Sequence, residues 1–212
     1  MAKTASVPAQ GSAYETVKRA FDVGAAAVGL VTMMPVLAAV AVAIRLETRG
    51  PMILRQARVG RGGRDFPMFK FRTMVDNAHT TGAGWLVAES DPRITRVGAF
   101  LRKWSLDELP QLANVLRGDM SIVGPRPTLR YQVDQYTPFQ RRRLEVRPGI
   151  TGWAQVSGRN ELTWQERIEL DVWYVEHRSL ALDARILART VPLLFRPSEI
   201  YNEARADWGE VV

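Results

Sequence analysis

The first feature of the chain is an uninterrupted apolar run close to the N-terminus. No charged residue occurs among the 22 residues from Val23 to Ile44. A helix of this length can cross the roughly 30 Å hydrocarbon core of a bilayer. The run is too long, and lies too far behind the basic pair Lys18-Arg19, to be typical of a cleaved signal peptide. We therefore expect a retained membrane segment.

Pro35 lies near the middle of this run. Proline lacks a backbone N–H and leaves the Val31 carbonyl without its helical partner, which the Thr32 hydroxyl could help to satisfy. Basic residues flank the run on both sides: Lys3, Lys18 and Arg19 before it, and Arg45, Arg49, Arg55 and Arg58 after it. Because basic flanks are typical of cytoplasmic ends, the pattern favours a re-entrant helix over residues 14–49 that bends at Pro35. A kinked single span and a buried soluble helix are the alternatives.

Two extended, apolar-rich stretches follow, joined by residues 61–64 (RGGR), and this pattern predicts a β-hairpin. In the second stretch, FKFR, the strand alternation puts Phe69 and Phe71 on one face. Lys70 and Arg72 lie on the other face and form a candidate phosphate-binding pair, although the solvated face of a half-buried strand has the same pattern. The glycines form neither a P-loop nor a GxGxxG motif, so nucleotide binding by those routes is excluded.

Asp107 and Glu108 stand side by side in SLDELPQL. Ser105 and Glu108 match a capping box, which would make the pair an ordinary helix start. Pro110 fits poorly inside that helix, so an alternative start lies two or three residues later. In either register Asp107 lies at a helix N-terminus near Arg102, which favours an ionised carboxylate able to bind a metal or to attack phosphorus. Neighbouring side chains on a helix diverge by about 100°, which indicates separate roles for the two carboxylates.

Two segments downstream are typical of phosphate or substrate binding. Arg126 stands between two prolines in GDMSIVGPRP, and the stiff backbone limits the entropy lost when a guanidinium binds phosphate. A rigid surface turn would have the same sequence. The stretch RPGITGWAQVSGRN, residues 147–160, has the composition of a polar binding loop, and its candidate binding residues are Arg147, Gln155, Arg159 and Asn160.

Composition narrows the choice of partners. Lys and Arg outnumber Asp and Glu by 29 to 22, which favours anionic partners such as phosphates, acidic lipids or nucleic acid. The chain has no cysteine, which excludes disulfides, thiolate metal sites and thiol nucleophiles. With 212 residues we expect one domain overall, made of a tail (1–13), the membrane-inserted helix (14–49) and a cytoplasmic interfacial catalytic region (50–212).

Five segments together carry a family resemblance: KRAFDV, FKFRTM, SLDELPQL, GDMSIVGPRP and RPGITGWAQVSGRN. From about Tyr14 to Ile200 the chain resembles the bacterial sugar transferases, and specifically the small monotopic polyprenyl-phosphate phosphoglycosyl transferases. The resemblance implies a mainly α fold with a small β-hairpin and a proline-broken re-entrant membrane helix. It also implies a catalytic face on the cytoplasmic side of the bacterial inner membrane. The stretch DVWYVEHRSLALDARILARTVPLLF is typical of an interfacial amphipathic helix, although a soluble amphipathic helix packed on the core has the same pattern.

The resemblance further implies a reaction in which a sugar 1-phosphate passes from a UDP-sugar to undecaprenyl phosphate, with release of UMP, as the first membrane-committed step of glycan assembly. Asp107 would form a covalent aspartyl-phosphosugar intermediate and bind Mg²⁺, and Glu108 would assist with protons or with the metal. The residues expected to neutralise phosphate charge are Lys70, Arg72, Arg102 and Arg126. Anionic inner-membrane lipids and downstream glycosyltransferases are further expected partners.

Two other classes of function remain open on the residues alone. A noncatalytic membrane-tethered scaffold would hold acidic lipids with its basic surface and would not need Asp107. A nucleic-acid-binding protein is suggested only by charge, and the uncharged run and the lack of a recognisable binding module weigh against it. We therefore expect no nucleic-acid partner.

Overall fold

The computed structural model describes residues 12–76, 78, 91–158 and 161–195. Their helices are α1 (Ser12–Glu47), α2 (Arg96–Lys103), α3 (Gln111–Arg117), α4 (Arg130–Asp134), α5 (Pro138–Arg141), α6 (Trp153–Ser157), α7 (Trp164–His177) and α8 (Leu180–Leu194). Their strands are β1 (Ile53–Val59), β2 (Asp65–Phe71), β3 (Ser121–Val123) and β4 (Gly149–Thr151). The predicted fold, mainly helical with a small β-hairpin, is confirmed.

The apolar run forms the long helix α1, which continues through Pro35. Its length and composition suffice for a membrane span. The Thr32 hydroxyl donates to the carbonyls of Val28 (2.9 Å) and Gly29 (3.3 Å). The expectation that it would satisfy the Val31 carbonyl is therefore wrong. The reason is that a threonine hydroxyl in a helix reaches the carbonyls three and four residues back. The re-entrant path stays a prediction.

Both ends of α1 pack on the rest of the protein. Ala26 is fully buried in a cluster with side chains of β2 and α3, and Ile44 is buried against Phe71 and Leu101. Between these contacts, residues 31–36 are all exposed. The helix therefore touches the body of the protein at both ends and exposes its apolar middle around Pro35.

Polar contacts fix the first turns of α1. Lys18 Nζ lies 2.8 Å from Asp183 Oδ2 of α8, and the Tyr14 hydroxyl donates to the same oxygen over 3.2 Å. The buried Asp22 accepts the backbone N–H of Ile122 in β3 (2.9 Å). These contacts lie before the uncharged run and hold the start of α1 against the C-terminal helix and β3.

The other end of α1 is fixed by a buried arginine. The Arg72 guanidinium donates to the carbonyls of Thr48 (3.0 Å) and Arg49 (2.9 Å) and to the Thr48 hydroxyl (2.7 Å). A cation that binds the last carbonyls of a helix stabilises its C-terminus. Glu47 in turn accepts the first two backbone N–H groups of α2 and caps that helix. The end of α1 is thus linked directly to the helix that precedes the Asp-Glu pair.

The strands β1 and β2 form the predicted antiparallel hairpin, with Ile53 opposite Phe71 and Val59 opposite Asp65. The connecting turn uses Gly62 at φ 67°, a backbone conformation that favours glycine. The hairpin leaves Lys70 near the end of β2, where it can reach across to the segment after α2.

A second, parallel sheet pairs β3 with β4, with Ser121 opposite Gly149. A Cβ atom at Gly149 or Gly152 would collide with the backbone of Gly124, so these glycines permit two segments to approach closely. The sequence predicted a polar loop over residues 147–160, but part of this segment forms β4 and α6. Its glycines permit close packing of the backbone there.

The C-terminal stretch predicted as one interfacial helix is two helices. α7 ends before Arg178, and Ser179 begins α8 by accepting the backbone N–H of Leu182 (3.2 Å). Tyr174 and Ile186 are buried in a cluster beneath these helices. The end of α8 exposes apolar side chains, including Phe195 at 76% exposure. Contact of this end with a membrane interface stays a prediction.

Candidate active site

The Asp-Glu pair lies in a short turn and not in the predicted capping box. Ser105 has a left-handed φ of 54°, and its side chain caps no helix. Leu106–Glu108 form one turn of 3₁₀ helix, and α3 begins only at Gln111, later than either expected start. Pro110 accounts for this delay because it cannot donate a backbone hydrogen bond inside a helix. The turn places both carboxylates ahead of α3.

Two cations from separate elements bind Glu108. Lys70 Nζ donates to Glu108 Oε1 (2.9 Å), and Arg126 donates to both carboxylate oxygens, one of them over 3.2 Å. Burial alone would raise the pKa of Glu108, but the charges of Arg126 and Lys70 outweigh burial and hold it well below its ordinary value. Glu108 is therefore a fixed anion that joins β2 to the Pro-Arg-Pro turn.

Asp107 is buried beside Glu108 and its two cations. Burial raises the pKa of its carboxyl above the ordinary value; Lys70 lowers this pKa and the charge of Glu108 raises it. Within the described part of the chain no group donates a hydrogen bond to the Asp107 carboxylate. A carboxylate without a protein partner, surrounded by cations, can react with an electrophile or bind a metal ion.

Arg102 is a further cation close to Asp107. It projects from α2, and its Nε donates to the Thr73 hydroxyl (2.7 Å). Burial lowers the pKa of Arg102, and the charge of Asp107 raises it, which shows that the two groups interact. The structure thus brings together three of the cations predicted from sequence, Lys70, Arg102 and Arg126.

Two arginines that the sequence analysis did not assign to the site lie close to it. Burial lowers the pKa of Arg58 to about 10, and the nearby charge of Arg126 contributes to this shift. The buried Nε of Arg58 has no hydrogen-bond partner among the described residues. Arg167 of α7 is near enough to Arg126 for the two charges to repel. Strand alternation places Arg58 on the same face as the buried Gln56, to which it donates (2.8 Å). That alternation was the available sequence signal for Arg58.

Arg72 does not join this cluster. β2 ends at Phe71, and the Arg72 side chain turns away to the end of α1, where its contacts to Thr48 and Arg49 keep it buried. The expectation that Arg72 and Lys70 point the same way is wrong, because β2 ends at Phe71 and the strand alternation does not extend to Arg72.

Two of the predicted binding residues of the 147–160 segment, Arg147 and Gln155, donate to backbone carbonyls and make no hydrogen bond to Asp107. Arg147 Nε donates to the Gly118 carbonyl just after α3 (3.0 Å), and Gln155 donates to a backbone carbonyl in its own segment (3.4 Å). Arg159 and Asn160 are outside the described residues.

The donor set is compatible with Mg²⁺ if a phosphate substrate completes the coordination. Among the described residues there is no group of three or more His, Cys, Asp or Glu side chains that could hold a metal ion. Mg²⁺, however, is commonly held by one or two carboxylates together with water and substrate phosphates. Asp107 fits that role, whereas Glu108 is occupied by Lys70 and Arg126. Magnesium itself stays a prediction.

Known proteins resemble this chain over most of its length. An uncharacterized sugar transferase of Bacillus subtilis, EpsL, is 45% identical over 174 residues, which cover 82% of this chain and 85% of that protein. The UDP-glucose:undecaprenyl-phosphate glucose-1-phosphate transferase of Caulobacter vibrioides is 45% identical over 195 residues, which cover 87% of this chain and 72% of that protein.

The UDP-N-acetylgalactosamine-undecaprenyl-phosphate N-acetylgalactosaminephosphotransferase of Aeromonas hydrophila is 44% identical over 184 residues, 84% of this chain but 43% of that protein. The chain thus spans less than half of this longer relative. The family model described as bacterial sugar transferase matches residues 13–197. The resemblance carried by the five sequence segments is confirmed, and the chain belongs to the bacterial sugar transferase family.

Proposed function

We propose that this chain transfers a sugar 1-phosphate from a UDP-sugar to undecaprenyl phosphate and releases UMP. The observation that carries this proposal is the position of Asp107, a buried carboxylate without a hydrogen-bond donor, within a group of cations. The names of the Caulobacter and Aeromonas relatives describe this type of transfer. Those names differ in the sugar, glucose in one and N-acetylgalactosamine in the other, so the donor sugar is left to experiment.

The charge of the site suits a diphosphate. Asp107 and Glu108 supply the negative charges of the site, and the cations of the described residues that interact with one or both of them are Arg58, Lys70, Arg102 and Arg126. Four cations around two carboxylates leave a net positive charge. Preorganised cations of this kind stabilise the charge that develops on a transferring phosphoryl group.

Asp107 acts as the nucleophile in this proposal. One of its oxygens attacks the phosphorus that carries the sugar, the bond from that phosphorus to UMP breaks, and UMP leaves with the electron pair. A phosphate oxygen of the polyprenyl phosphate then attacks the aspartyl phosphosugar and returns the Asp107 carboxylate. Mg²⁺, when bound with the substrate, supplies further positive charge at the diphosphate.

Glu108 has a different task from Asp107. Since its pKa lies well below the ordinary value, Glu108 is a poor proton acceptor at neutral pH. Its contacts assign it to holding Lys70 and Arg126 in place, so that both cations are positioned before the substrate binds.

The contacts of α1 support a re-entrant path through the cytoplasmic leaflet. Asp22 and Ile44 both contact the body of the protein, although 22 residues of straight helix span about 33 Å. A helix that crossed the whole bilayer would carry one of these contacts to the far side of the membrane. Because both ends touch the same body, we place them on one side of the membrane, with the exposed residues 31–36 as the deepest part of the helix. UDP-sugars are cytoplasmic, which suits an inner-membrane enzyme with a cytoplasmic site.

The direct test is to offer purified protein in detergent a panel of UDP-sugars with undecaprenyl phosphate and Mg²⁺ and to measure UMP release. We expect turnover with at least one sugar and none with Asp107→Asn. A noncatalytic scaffold would release no UMP with any donor.

A second experiment tests the covalent step. In the absence of polyprenyl phosphate, wild-type protein should release UMP up to the amount of protein and gain the phosphosugar mass on the peptide that contains Asp107. Asn at this position keeps the shape but cannot form an acyl phosphate. If Asp107→Asn retains turnover, or if the added mass maps to another residue, direct transfer between the two bound substrates replaces the covalent mechanism.

A further inference from the structure

A second concentration of positive charge lies at the opposite end of α3 from Asp107. An open cleft of about 810 Å³ is bounded by the first turns of α1 and by three arginines, Arg19, Arg61 and Arg147. These arginines come from three separate parts of the chain, α1, the hairpin turn and the segment before β4. The reaction proposed above assigns no role to this cleft.

Each of the three guanidinium groups uses only part of its hydrogen-bonding capacity. Arg147 donates through Nε to the Gly118 carbonyl (3.0 Å), and Arg61 donates through Nε to a backbone carbonyl (3.1 Å). Arg19 donates to two carbonyls at the end of α3 (2.7 and 3.0 Å). A guanidinium has five N–H donors. The other donors of these three arginines have no acceptor within the ranges that the structure describes.

Nearby carboxylates have hydrogen-bond or ion-pair partners other than the three arginines. Glu15, which also lines the cleft, lies 2.8 Å from Arg178. Asp22 accepts a backbone N–H of β3, and Glu145 pairs with Arg142. Lys18 is paired with Asp183. The cleft therefore keeps a net positive charge.

The arginines repel one another across the cleft. Burial lowers the pKa of Arg147 and the charges of Arg19 and Arg61 lower it further, while the charges of Glu15 and Asp22 act in the opposite direction. An anion bound between the three guanidinium groups would remove this repulsion and accept their unused donors.

Part of the cleft lining is apolar. Ala20, Val23 and Gly24 of α1 form this part, at positions that share one helix face. One turn further along, the same helix exposes Val28 (63%) and Val31 (67%). A basic cleft that continues into an exposed apolar helix face is complementary to a molecule with an anionic head and a hydrocarbon tail.

We propose that this cleft binds the phosphate head group of an anionic glycerophospholipid of the membrane, with acyl chains along the exposed face of α1. The inference rests on the membrane placement of α1 proposed above. A free phosphate would leave the apolar part of the cleft lining unused. The polyprenyl phosphate acceptor must bring its phosphate to Asp107, which lies beyond the opposite end of α3, a helix of 7 residues and thus about 10 Å long.

Native mass spectrometry of the full-length protein in detergent tests this site. Delipidated protein is mixed with phosphatidylglycerol or phosphatidylcholine, and the retained lipid is counted for the wild type, for the double variant Arg61→Gln/Arg147→Gln and for Arg64→Gln. Arg64 is an exposed arginine of the same turn that does not line the cleft, so it is the matched control. Arg19 is left unchanged because it also holds the end of α3.

We expect one phosphatidylglycerol per wild-type and Arg64→Gln molecule, weak retention of phosphatidylcholine, and a loss of about tenfold or more in the double variant. Equal retention of both lipids, or no loss in a folded double variant, would overturn the proposal. Displacement of phosphatidylglycerol by equimolar farnesyl phosphate or by low-millimolar inorganic phosphate would also overturn it, by assigning the cleft to the acceptor or to free phosphate. If protein that releases no UMP still retains phosphatidylglycerol selectively, the lipid site is supported and only the proposed transfer reaction is contradicted.

Discussion

Asp107 and Glu108 are neighbours in the sequence but differ in their surroundings. Glu108 has a lowered pKa because two cations bind it, whereas Asp107 has a raised pKa because it is buried without a donor. The two cations that bind Glu108, Lys70 and Arg126, are therefore expected to act through charge at the reacting phosphate and not through folding.

Replacing Lys70 or Arg126 by methionine should lower turnover by about 100-fold or more, since each cation is placed where charge develops. Arg130→Met is the matched control, because its ion pair with Asp65 is exposed and lies in another part of the surface. The control should retain near-normal turnover. Turnover and thermal unfolding are measured on the same preparations. A loss of activity only in proportion to lost folded protein would show that Lys70 and Arg126 are structural.

Arg72 provides the opposite case. Because its guanidinium is buried at the end of α1, Arg72→Met should lower the free energy of unfolding by about 1–3 kcal/mol and leave turnover per folded molecule nearly unchanged. Denaturant unfolding and UMP release on the soluble fraction measure the two effects. Lost turnover with unchanged stability would restore Arg72 to the phosphate-binding group predicted from its sequence position.

Asp171 is a buried carboxylate behind the Pro-Arg-Pro turn. It pairs with Arg143, which also donates to the Arg126 carbonyl (2.9 Å). Burial raises the pKa of Asp171 from 3.8 to about 6, although the charge of Arg143 acts in the opposite direction. The folded protein therefore keeps a proton at pH values where the unfolded chain has already lost it. Consequently the contribution of Asp171 to stability is greatest below about pH 4 and falls as the pH rises through 6.

In Asp171→Asn this titration is absent. The free energy of unfolding of the wild type minus that of the variant should fall by about 2 kcal/mol between pH 4 and pH 7, because the pKa of Asp171 is about two units higher in the folded protein than in the unfolded chain. Denaturant unfolding at four pH values in detergent measures it. If the difference instead grows as the pH rises, Arg143 rather than burial controls the pKa of Asp171.

At the scale of elements, α1 is expected to decide how the protein associates with a membrane. The chain has no cysteine, so a single introduced cysteine is a unique label. Cysteines at the exposed residues Ala13 and Met52 should both react with a membrane-impermeant reagent from the cytoplasmic side only. A cysteine at Met34, in the exposed middle of α1, should be protected from both sides. Labelling of Ala13 and Met52 from opposite sides would establish a spanning helix and exclude the re-entrant path.

Pro35 is expected to favour the re-entrant path of α1 over a spanning one. Pro35→Ala restores a backbone hydrogen bond and should increase the fraction of molecules in which α1 spans the bilayer, seen as labelling of Ala13 and Met52 from opposite sides. Pro192, inside α8, is the matched control, because Pro192→Ala should leave the labelling of both positions unchanged. Identical labelling patterns in Pro35→Ala and the wild type would show that the contacts at the two ends of α1, and not the proline, set its path.

At the scale of the whole molecule, Asp183 joins α1 to the C-terminal helices. Its carboxylate accepts from Lys18 (2.8 Å) and Tyr14 (3.2 Å) of α1 and from Tyr174 of α7 (2.7 Å). Asp183→Asn removes the ion pair and leaves Lys18 partly buried without its partner. We expect backbone amides of residues 13–22 to exchange hydrogen about tenfold faster or more, as the start of α1 loosens. The exposed Asp134 gives the control, Asp134→Asn, and equal exchange in both variants would contradict the role of Asp183.

The sequence by itself determined the features that depend on neighbouring residues. The apolar run predicted α1, and the alternation around a glycine-rich turn predicted the β1–β2 hairpin. Five short segments in register identified the family and directed attention to the Asp107-Glu108 pair. Each of these signals repeats over two to four residues or lies within one continuous segment, so it can be read without knowing the chain's path.

Only the tertiary structure decided which charges meet. The partners of Glu108 are 38 and 18 residues away in the sequence, and Lys18 meets Asp183 at a separation of 165 residues. Arg72 was assigned to the wrong group because strand alternation does not show where the strand ends, and Arg58 was missed because its neighbours come from other elements. Local patterns fix which face of an element a side chain occupies. What that face meets depends on the packing of distant elements. Burial and neighbouring charge then set whether a carboxylate is held ionised by ion pairs, as Glu108 is, or lies buried without a hydrogen-bond donor, as Asp107 does.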